Sequence, residues 1–367
     1  MIDKSLAKDA VLVGMSGGVD SSVSVILLKE AGLKTNGLTI TPFKVSSTCK
    51  SDEGAKSCCN QKSLIDAIDM AERFSIPHYL VEMTETFENE IITNFVDEYM
   101  SGRTPNPCVL CNPRIKWKAF IDKADELGIY YVATGHYAAV RYDETLKKKV
   151  LCKAKDTKKD QTYFLWRLTS EQIERTIFPL GTIDKVRTRE IAAANNLTSK
   201  DKPDSQEICF VPDNDYRNFL VDYLKRDISE PGNFVFRGKI IGQHKGFPFY
   251  TVGQRKGLNL SYTEPLFVTE IDAKTNEIHL ETIDNISKTY ISASDIVLSK
   301  YESLDHERIF DVKIRYRDPG TPARCVIVDG ILKIELLTPK NSIALGQSVV
   351  MYEGDDVVGG GIISAVE

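Results

Sequence analysis

The sequence predicts an α/β N-terminal domain built on a parallel sheet, followed by a small β-rich central domain and a C-terminal β-barrel. Three observations carry this. Up to about residue 200, short apolar runs alternate with stretches of helical apolar spacing, the pattern of strands joined by crossover helices. Residues 231–260 then change character, with six glycines, five Lys or Arg, and no Asp or Glu. From about 265 the chain reads as short strands separated by turns. On this reading the domains run 1–205, 206–272 and 273–367.

The elements follow in order. Residues 10–13 form a short apolar strand, and Val23, Ile26 and Leu27 belong to the helix after it. Between them lies Gly14-Met15-Ser16-Gly17-Gly18-Val19-Asp20-Ser21-Ser22. Gly17 and Gly18 have no side chain to keep an anion from the backbone N–H groups. Ser16, Ser21 and Ser22 add hydroxyl donors, and the helix turns its positive end toward the bound group. The stretch lacks the Gly-Lys-Ser/Thr ending of the common mononucleotide loop and is not a G-x-G-x-x-G turn. It resembles the pyrophosphate loop of enzymes that split ATP between its α and β phosphates. The plain alternative is a Gly-Gly turn of an ordinary α/β domain.

Residues 38–40 read as a second strand, 64–74 as a helix, 78–81 as a third strand and 84–99 as an acidic helix. Residues 115–127 form a further helix, ending at Gly128. Residues 130–133 then lead into Thr134-Gly135-His136-Tyr137. In a doubly wound sheet the ligand lies at the carboxyl ends of the strands, where both this turn and the opening loop fall. The polar stretch 45–60 holds Cys49, Cys58 and Cys59, with no His nearby to complete a metal set, so a surface loop is the simpler reading. In 231–260, Phe247, Phe249 and Tyr250 interleave with Lys245, Arg255 and Lys256. That suits a nucleic-acid backbone with unstacked bases, or equally a Gly-rich linker with solvated lysines. Beyond it, the strands Leu266–Asp272 and Glu277–Thr282, 324–328 and 332–337, and 348–352 and 357–363 pair as hairpins, a small barrel or sandwich.

Composition narrows the function. The chain has 367 residues, 42% hydrophobic, with no run of about 18 apolar residues, so no membrane span is expected. The polar first ten residues lack a signal-peptide core, which makes the cytoplasm the expected location. Eight cysteines there point to catalysis or metal binding rather than to a disulfide framework. A net charge of −5 argues against holding nucleic acid by bulk charge but leaves room for a local basic face.

Two further stretches carry chemistry. In 102–116, three prolines and a glycine hold a loop that presents Cys108 and Cys111 in C-x-x-C spacing and feeds a helix. A thiol at a helix start, with Arg114 and Lys116 close in sequence, gains thiolate character. The alternative is a structural C-x-x-C, half of a zinc site, but a second such pair is absent. In Lys202-Pro203-Asp204-Ser205-Gln206-Glu207-Ile208-Cys209-Phe210, a lone cysteine in a strand-like run is ordinarily a core residue. Set beside Cys111, it suggests a relay in which one thiol carries sulfur and the other resolves it.

At this point the motifs GMSGGVDSSV, GRTPNPC-x-x-CN-x-x-IKW, ATGHYA, KKDQTYFLW, FPLG, KPDSQEICF, GQHKGFPFYTVGQRKGL, IRYR and VVGGGII together resemble the bacterial tRNA-specific 2-thiouridylase family. They run in that family's order from residue 11 to 363. The resemblance implies an adenine nucleotide α-hydrolase-like catalytic domain and a sulfurtransferase acting on the wobble uridine of tRNA. ATP, with Mg2+, is implied to bind at Gly14, Met15, Ser16, Gly17, Gly18, Val19, Asp20, Ser21, Ile40 and Gly135. The uracil O2 is adenylated. Cys209 carries a persulfide supplied by a sulfur-relay protein or cysteine desulfurase, and Cys111 is the nucleophile that frees the sulfur, leaving a Cys111–Cys209 disulfide. The implied tRNA contacts are Asn106, Pro107, Cys108, His136, Lys159, Asp160, Gln161, Arg315, Tyr316 and Gln347.

One departure matters. Cys108 stands where familiar members have Asp, a candidate acid–base group, and a thiol with a reference pKa of roughly 8.5 replaces it only partly. Cys108, Cys111 and Cys209 are chemically able to ligate an iron–sulfur cluster with one iron open, so cluster-dependent thiolation is a competing mechanism. Two more distant readings are another ATP-pyrophosphatase synthetase, of argininosuccinate type, and a non-catalytic RNA-binding protein. Neither uses the paired cysteine motifs.

Overall fold

The computed structural model describes residues 9–42, 61–201 and 208–367. The stretch 45–60 with Cys49, Cys58 and Cys59 lies outside them. The chain divides into two compact units. One comprises Met1–Ile91, Cys108–Asn214 and Asp355–Val357, the other Ile92–Pro107, Asp215–Gly354 and Val358–Glu367.

The first unit is built on β1 (Ala10–Gly14), β2 (Lys34–Thr41), β3 (His78–Glu82), β4 (Tyr131–Ala133) and β7 (Thr176–Ile177). Their order is β3-β2-β1-β4-β7, and every pairing is parallel. Residues of β1 alternate between two cores, as a strand buried on both faces must. Val11 and Val13 pack with α1 (Val19–Glu30), α2 (Gln61–Arg73) and α5 (Lys185–Ala194) through Val23, Ile26, Ala67, Met70 and Ile191. Leu12 faces Leu38, Phe120 and Ala124, the last two on helix α4, residues 107–126. Helices on both faces make this the doubly wound sheet that the alternating pattern predicts. β1 lies between β2 and β4, where the strand order reverses, and its carboxyl end is the natural ligand crevice.

Several sequence expectations change. The acidic helix α3 (84–100) and α4 both contain π-helical turns, Glu88–Ile92 and Asn112–Trp117. In α4 the helix begins at Pro107 rather than near 115, so Cys108 and Cys111 lie in its first turns, Pro107–Cys111, and not on an irregular loop. Pro107 suits a first helical position because its missing N–H would have been unpaired there. Pro113 cannot donate an α-helical bond, and the wider π turn accommodates it. The run at Cys209 is a turn, not a strand: Val211 N–H donates to Ile208 O at 3.1 Å. Between β4 and β7 an unforeseen hairpin, β5 (Ala139–Asp143) with β6 (Lys148–Cys152), pairs through Cys152 with Asp356.

The second unit contains helix α6 (Tyr216–Leu224) and two β structures. The first is a four-stranded sheet in the order β10-β11-β8-β9, from β8 (Gly232–Phe236), β9 (Lys239–His244), β10 (Leu266–Asp272) and β11 (Glu277–Thr282). Asp272, the expected end of the central domain, is the last residue of β10. The other is formed by β12 (Ser287–Leu298), β13 (Ile309–Lys313), β14 (Pro322–Val328), β15 (Ile331–Asn341), β16 (Ser348–Glu353) and β17 (Asp356–Val366). Pairing of β12 with both β15 and β17 closes these six strands into a barrel. Its interior holds Phe310, Val312, Ile334, Leu336, Val349 and Met351, each at most 3% exposed. Closure removes the open edges that a two-sheet sandwich would leave.

Candidate active site

The loop after β1 is held by its own hydroxyls and by β2. Met15 N–H donates to Leu38 O at 2.8 Å. Thr39 Oγ1 donates to Met15 O at 2.7 Å and so accepts from His78 Nε2 at 2.9 Å, which fixes that histidine's tautomer. Burial holds the His78 pKa below its usual value, so the ring is neutral in this bond at pH 7. Ser21 Oγ accepts from Ser16 N–H at 3.3 Å and donates to Gly18 O at 3.1 Å. Gly17 sits at φ +69°, and a Cβ there would lie 2.3 Å from Ser63 O. Gly135, just beyond β4, lies so close that a Cβ would come within 2.8 Å of the Asp20 carbonyl carbon and Ser21 nitrogen. The Gly14–Ser21 stretch, Gly135 and the end of β2 bearing half-buried Ile40 thus converge at the carboxyl ends of β1, β2 and β4. α1 starts at this point, and its first turns offer N–H groups to an anion.

Asp20 is the charged member of the loop. Both its carboxylate oxygens accept from Lys185 Nζ at 2.8 Å. Tyr137 O–H approaches Asp20 Oδ1 at 3.1 Å and Thr188 Oγ1 at 2.9 Å. Sequence reasoning missed Lys185, Tyr137 and Thr188. The available signal was Asp184, whose side chain accepts from Arg187 N–H and so caps α5. A lysine directly after such a cap lies at the positive end of a helix, where a cation needs a carboxylate partner.

The thiols lie in the same unit. Cys108 is exposed, and Cys111 and Cys209 are half-buried. Cys111 is followed at once by the π turn, a local distortion frequent at functional sites. Asn112, 2% exposed, donates from Nδ2 to Phe164 O at 2.8 Å and anchors the turn. Phe210 packs edge-on against Phe87 with ring centroids 5.7 Å apart and roots the Cys209 turn. Among the described residues no three His, Cys, Asp or Glu side chains form a metal-binding group. That arrangement lends no support to a three-thiolate iron–sulfur site at Cys108, Cys111 and Cys209.

The residues implied as tRNA contacts fall in both units. In the first, Asp160 is 7% exposed, and its carboxylate accepts from Ala154 N–H at 2.9 Å and Thr162 Oγ1 at 2.6 Å. Gln161 brackets Tyr137, with Oε1 accepting from Tyr137 N–H and its own N–H donating to Tyr137 O, both at 2.8 Å. Lys159 is half-buried beside them. His136 contacts Thr134 Oγ1 at 2.8 Å and packs on Trp117, ring centroids 5.7 Å apart. Burial, helped by the charge of Lys116, pushes its pKa down to about 3. In the second unit, Arg315 is exposed and Tyr316 half-buried in a turn held by Asp318. Gln347 Nε2 donates to Thr104 O at 2.9 Å and Pro105 O at 3.1 Å, so it fastens the loop that carries Asn106 and Pro107. Thr104 N–H reinforces this by donating to Leu345 O at 2.8 Å.

A doubly wound domain with a glycine- and hydroxyl-rich loop at its switch point, two half-buried thiols in the same unit and appended β structures make this an α/β domain of the nucleotide-binding kind. The family comparisons specify it. Residues 9–213 match the tRNA methyl transferase HUP domain, 217–281 the tRNA methyl transferase PRC-barrel domain, and 288–363 the aminomethyltransferase beta-barrel domain. The tRNA-specific 2-thiouridylase MnmA of Salinibacter ruber is 46% identical, covering 98% of this chain and 95% of its own. That of Amoebophilus asiaticus is 43% identical, covering 98% and 96%. A third, from Caldanaerobacter subterraneus subsp. tengcongensis, is 45% identical, covering 96% and 97%. The chain belongs to the tRNA-specific 2-thiouridylase family.

Proposed function

We propose that this protein catalyses ATP-dependent 2-thiolation of the wobble uridine of tRNA. The observation that carries the reading is near-full-length kinship with 2-thiouridylases in a chain whose anion loop lies at the sheet's switch point. A uracil C2 oxygen is a poor leaving group, and adenylation converts it into AMP. The O2 attacks the α-phosphorus, the bond from that phosphorus to the bridging oxygen breaks, and pyrophosphate leaves with the electron pair while the N3 proton passes to water. The loop after β1 and the start of α1 bind the phosphates, with Ile40 and Gly135 against the adenosine. Magnesium accompanying ATP would be held mostly by phosphate oxygens, and Asp20 is a carboxylate of the loop that would contribute. One carboxylate plus phosphates is the usual environment of that ion.

Sulfur arrives as a persulfide on Cys209 from a donor protein. The Cys111 thiolate attacks the Cys209 sulfur and hydrosulfide departs. It adds at C2, AMP is expelled, and a Cys111–Cys209 disulfide remains for reduction. A single-stranded anticodon base can be splayed out toward such a site. Domain limits of 1–205, 206–272 and 273–367 belong to this reading, as do the tRNA roles of Asn106, Pro107, Cys108, His136, Lys159, Asp160, Gln161, Arg315, Tyr316 and Gln347. Among the described residues no helix is long and apolar enough to cross a membrane.

The test is anaerobic purification with assay of iron and sulfide, then thiolation of tRNA with ATP and a persulfide donor. Colourless, metal-free protein should thiolate, release pyrophosphate only with tRNA, and lose thiolation in Cys111→Ser and Cys209→Ser. Iron-loaded protein that loses metal and activity together in Cys108→Ala overturns the relay. Full turnover in Cys111→Ser points to a different ATP-pyrophosphatase reaction.

A further inference from the structure

Lys185 is the first residue of α5, where the helix end already carries about half a positive charge. It is also only 8% exposed. A buried ammonium at a positive helix end is doubly unfavourable, and the fold nevertheless holds it there. Its backbone N–H donates to Asp156 Oδ2 at 3.0 Å, which fixes the root of the side chain. The stem runs beside Tyr137, with Nζ 5.6 Å from the ring centroid. The tip ends on Asp20, inside the anion loop and in the first turn of α1. Asp20 retains a 30% exposed side chain, so the pair sits at the mouth of the loop rather than in the core.

Three carboxylates already serve the two helix starts: Asp156 and Asp184 accept from backbone N–H groups of α5, and Asp20 lies in the first turn of α1. The Lys185 ammonium reaches past the first two to the partly exposed Asp20, at the loop. A lysine side chain is a flexible point charge, and a small rotation of its end carries Nζ from a carboxylate oxygen to a phosphate oxygen. We infer that Lys185 is the cation that engages the β- and γ-phosphates of ATP, with Asp20 holding its ammonium at the loop until the nucleotide binds. The inference rests on the adenylation reaction proposed above. In that step the bond between the α-phosphorus and the bridging oxygen breaks, and the departing pyrophosphate gains negative charge. An ammonium on that oxygen or its neighbours stabilises the charge as it develops. Lys185 neither gains nor loses a proton in the step.

The test compares ATP with AMP by calorimetry on the full chain. AMP shares the adenosine and α-phosphate contacts but lacks the two outer phosphates. For Lys185→Gln, ATP affinity should fall about tenfold or more, the scale of one charge-assisted contact. AMP affinity should change less than twofold, and Lys185→Arg should retain most of the ATP preference. tRNA-dependent pyrophosphate release should fall with ATP affinity in Lys185→Gln. Lys185→Ala repeats the comparison should the glutamine variant fail to fold. Equal loss of ATP and AMP affinity means that Lys185 merely positions Asp20 and the start of α1, and overturns the inference. Unchanged ATP affinity overturns it as well. Wild-type protein that binds neither nucleotide overturns the adenylation reading itself, whereas wild type that prefers ATP beside a variant that does so equally removes only Lys185.

Discussion

Asp318 in the barrel unit and Asp20 at the end of β1 are both paired with a lysine, yet the surroundings differ. The Asp318 side chain is 1% exposed and bonded to Lys340. It also accepts from Ile314 N–H at 3.0 Å and Gly320 N–H at 3.1 Å. Every partner belongs to the same turn or to the neighbouring strand, so the charge is consumed in holding the turn that displays Arg315 and Tyr316. Despite burial, bonds to Lys340 and the two amides hold the Asp318 carboxyl below the usual carboxylate range. Glu353 is spent in the same way on Lys300, Tyr301 and Arg308. Asp20 instead opens on the anion loop, among helix N-termini and hydroxyls. A charge closed on its own fold supports architecture, and one left facing a strand end is available to chemistry.

The largest effect should come from breaking the open end. Gly17→Val must place a Cβ 2.3 Å from Ser63 O at a φ of +69° that valine avoids. Pyrophosphate release should vanish with tRNA binding mostly retained, and Asp20→Ala should behave alike. Equal loss of both activities counts against the assigned roles. Next is the closed charge: Asp318→Ala strands Lys340 and two amides and should cost about 3 kcal/mol of stability. Denaturant titration followed at the barrel should show it, while ATP affinity stays at the wild-type value. An accompanying loss of ATP affinity would erase the contrast between the two aspartates.

A third effect is pH-dependent and lies at the β4 end. His136 has a pKa of about 3 in the folded protein against 6.5 for the free side chain, chiefly through burial and then Lys116. The unfolded chain therefore takes up the proton first. This stabilisation is complete above about pH 6.5 and is lost as pH falls toward 3, by about 2 kcal/mol at pH 5. A His136→Gln variant should flatten that slope, and an unchanged slope would place the titration elsewhere. The smallest effect belongs to Gln347→Ala, which removes the bonds to Thr104 and Pro105. About 1 kcal/mol of local stability should go. Faster amide exchange of residues 101–106 would reveal it, and unchanged exchange would return Gln347 to a role in binding tRNA alone.

The sequence by itself determined the parts whose chemistry is local. Strand 10–13, the Gly17-Gly18 turn and the start of α1 are contiguous, and the loop's own hydroxyl bonds, Ser16 to Ser21 and Ser21 to Gly18, join near neighbours in sequence. The β10–β11 hairpin is readable for the same reason, since a short turn sets its register. Pro113 obscured the start of α4 because a proline usually breaks a helix, and the π turn that rescues it is not written in apolar spacing. Only the tertiary structure decided what meets across long separations. Asp20 and Lys185 are 165 residues apart, and Thr104 and Gln347 are 243 apart. Pairing of β12 with β17 selects a closed barrel over a sandwich. A period of apolar residues states which face is buried, but not which other face it is buried against. Those pairings follow from the order in which strands cross over and pack, and with them comes the division between a charge closed within its own turn, Asp318, and one at a strand end, Asp20.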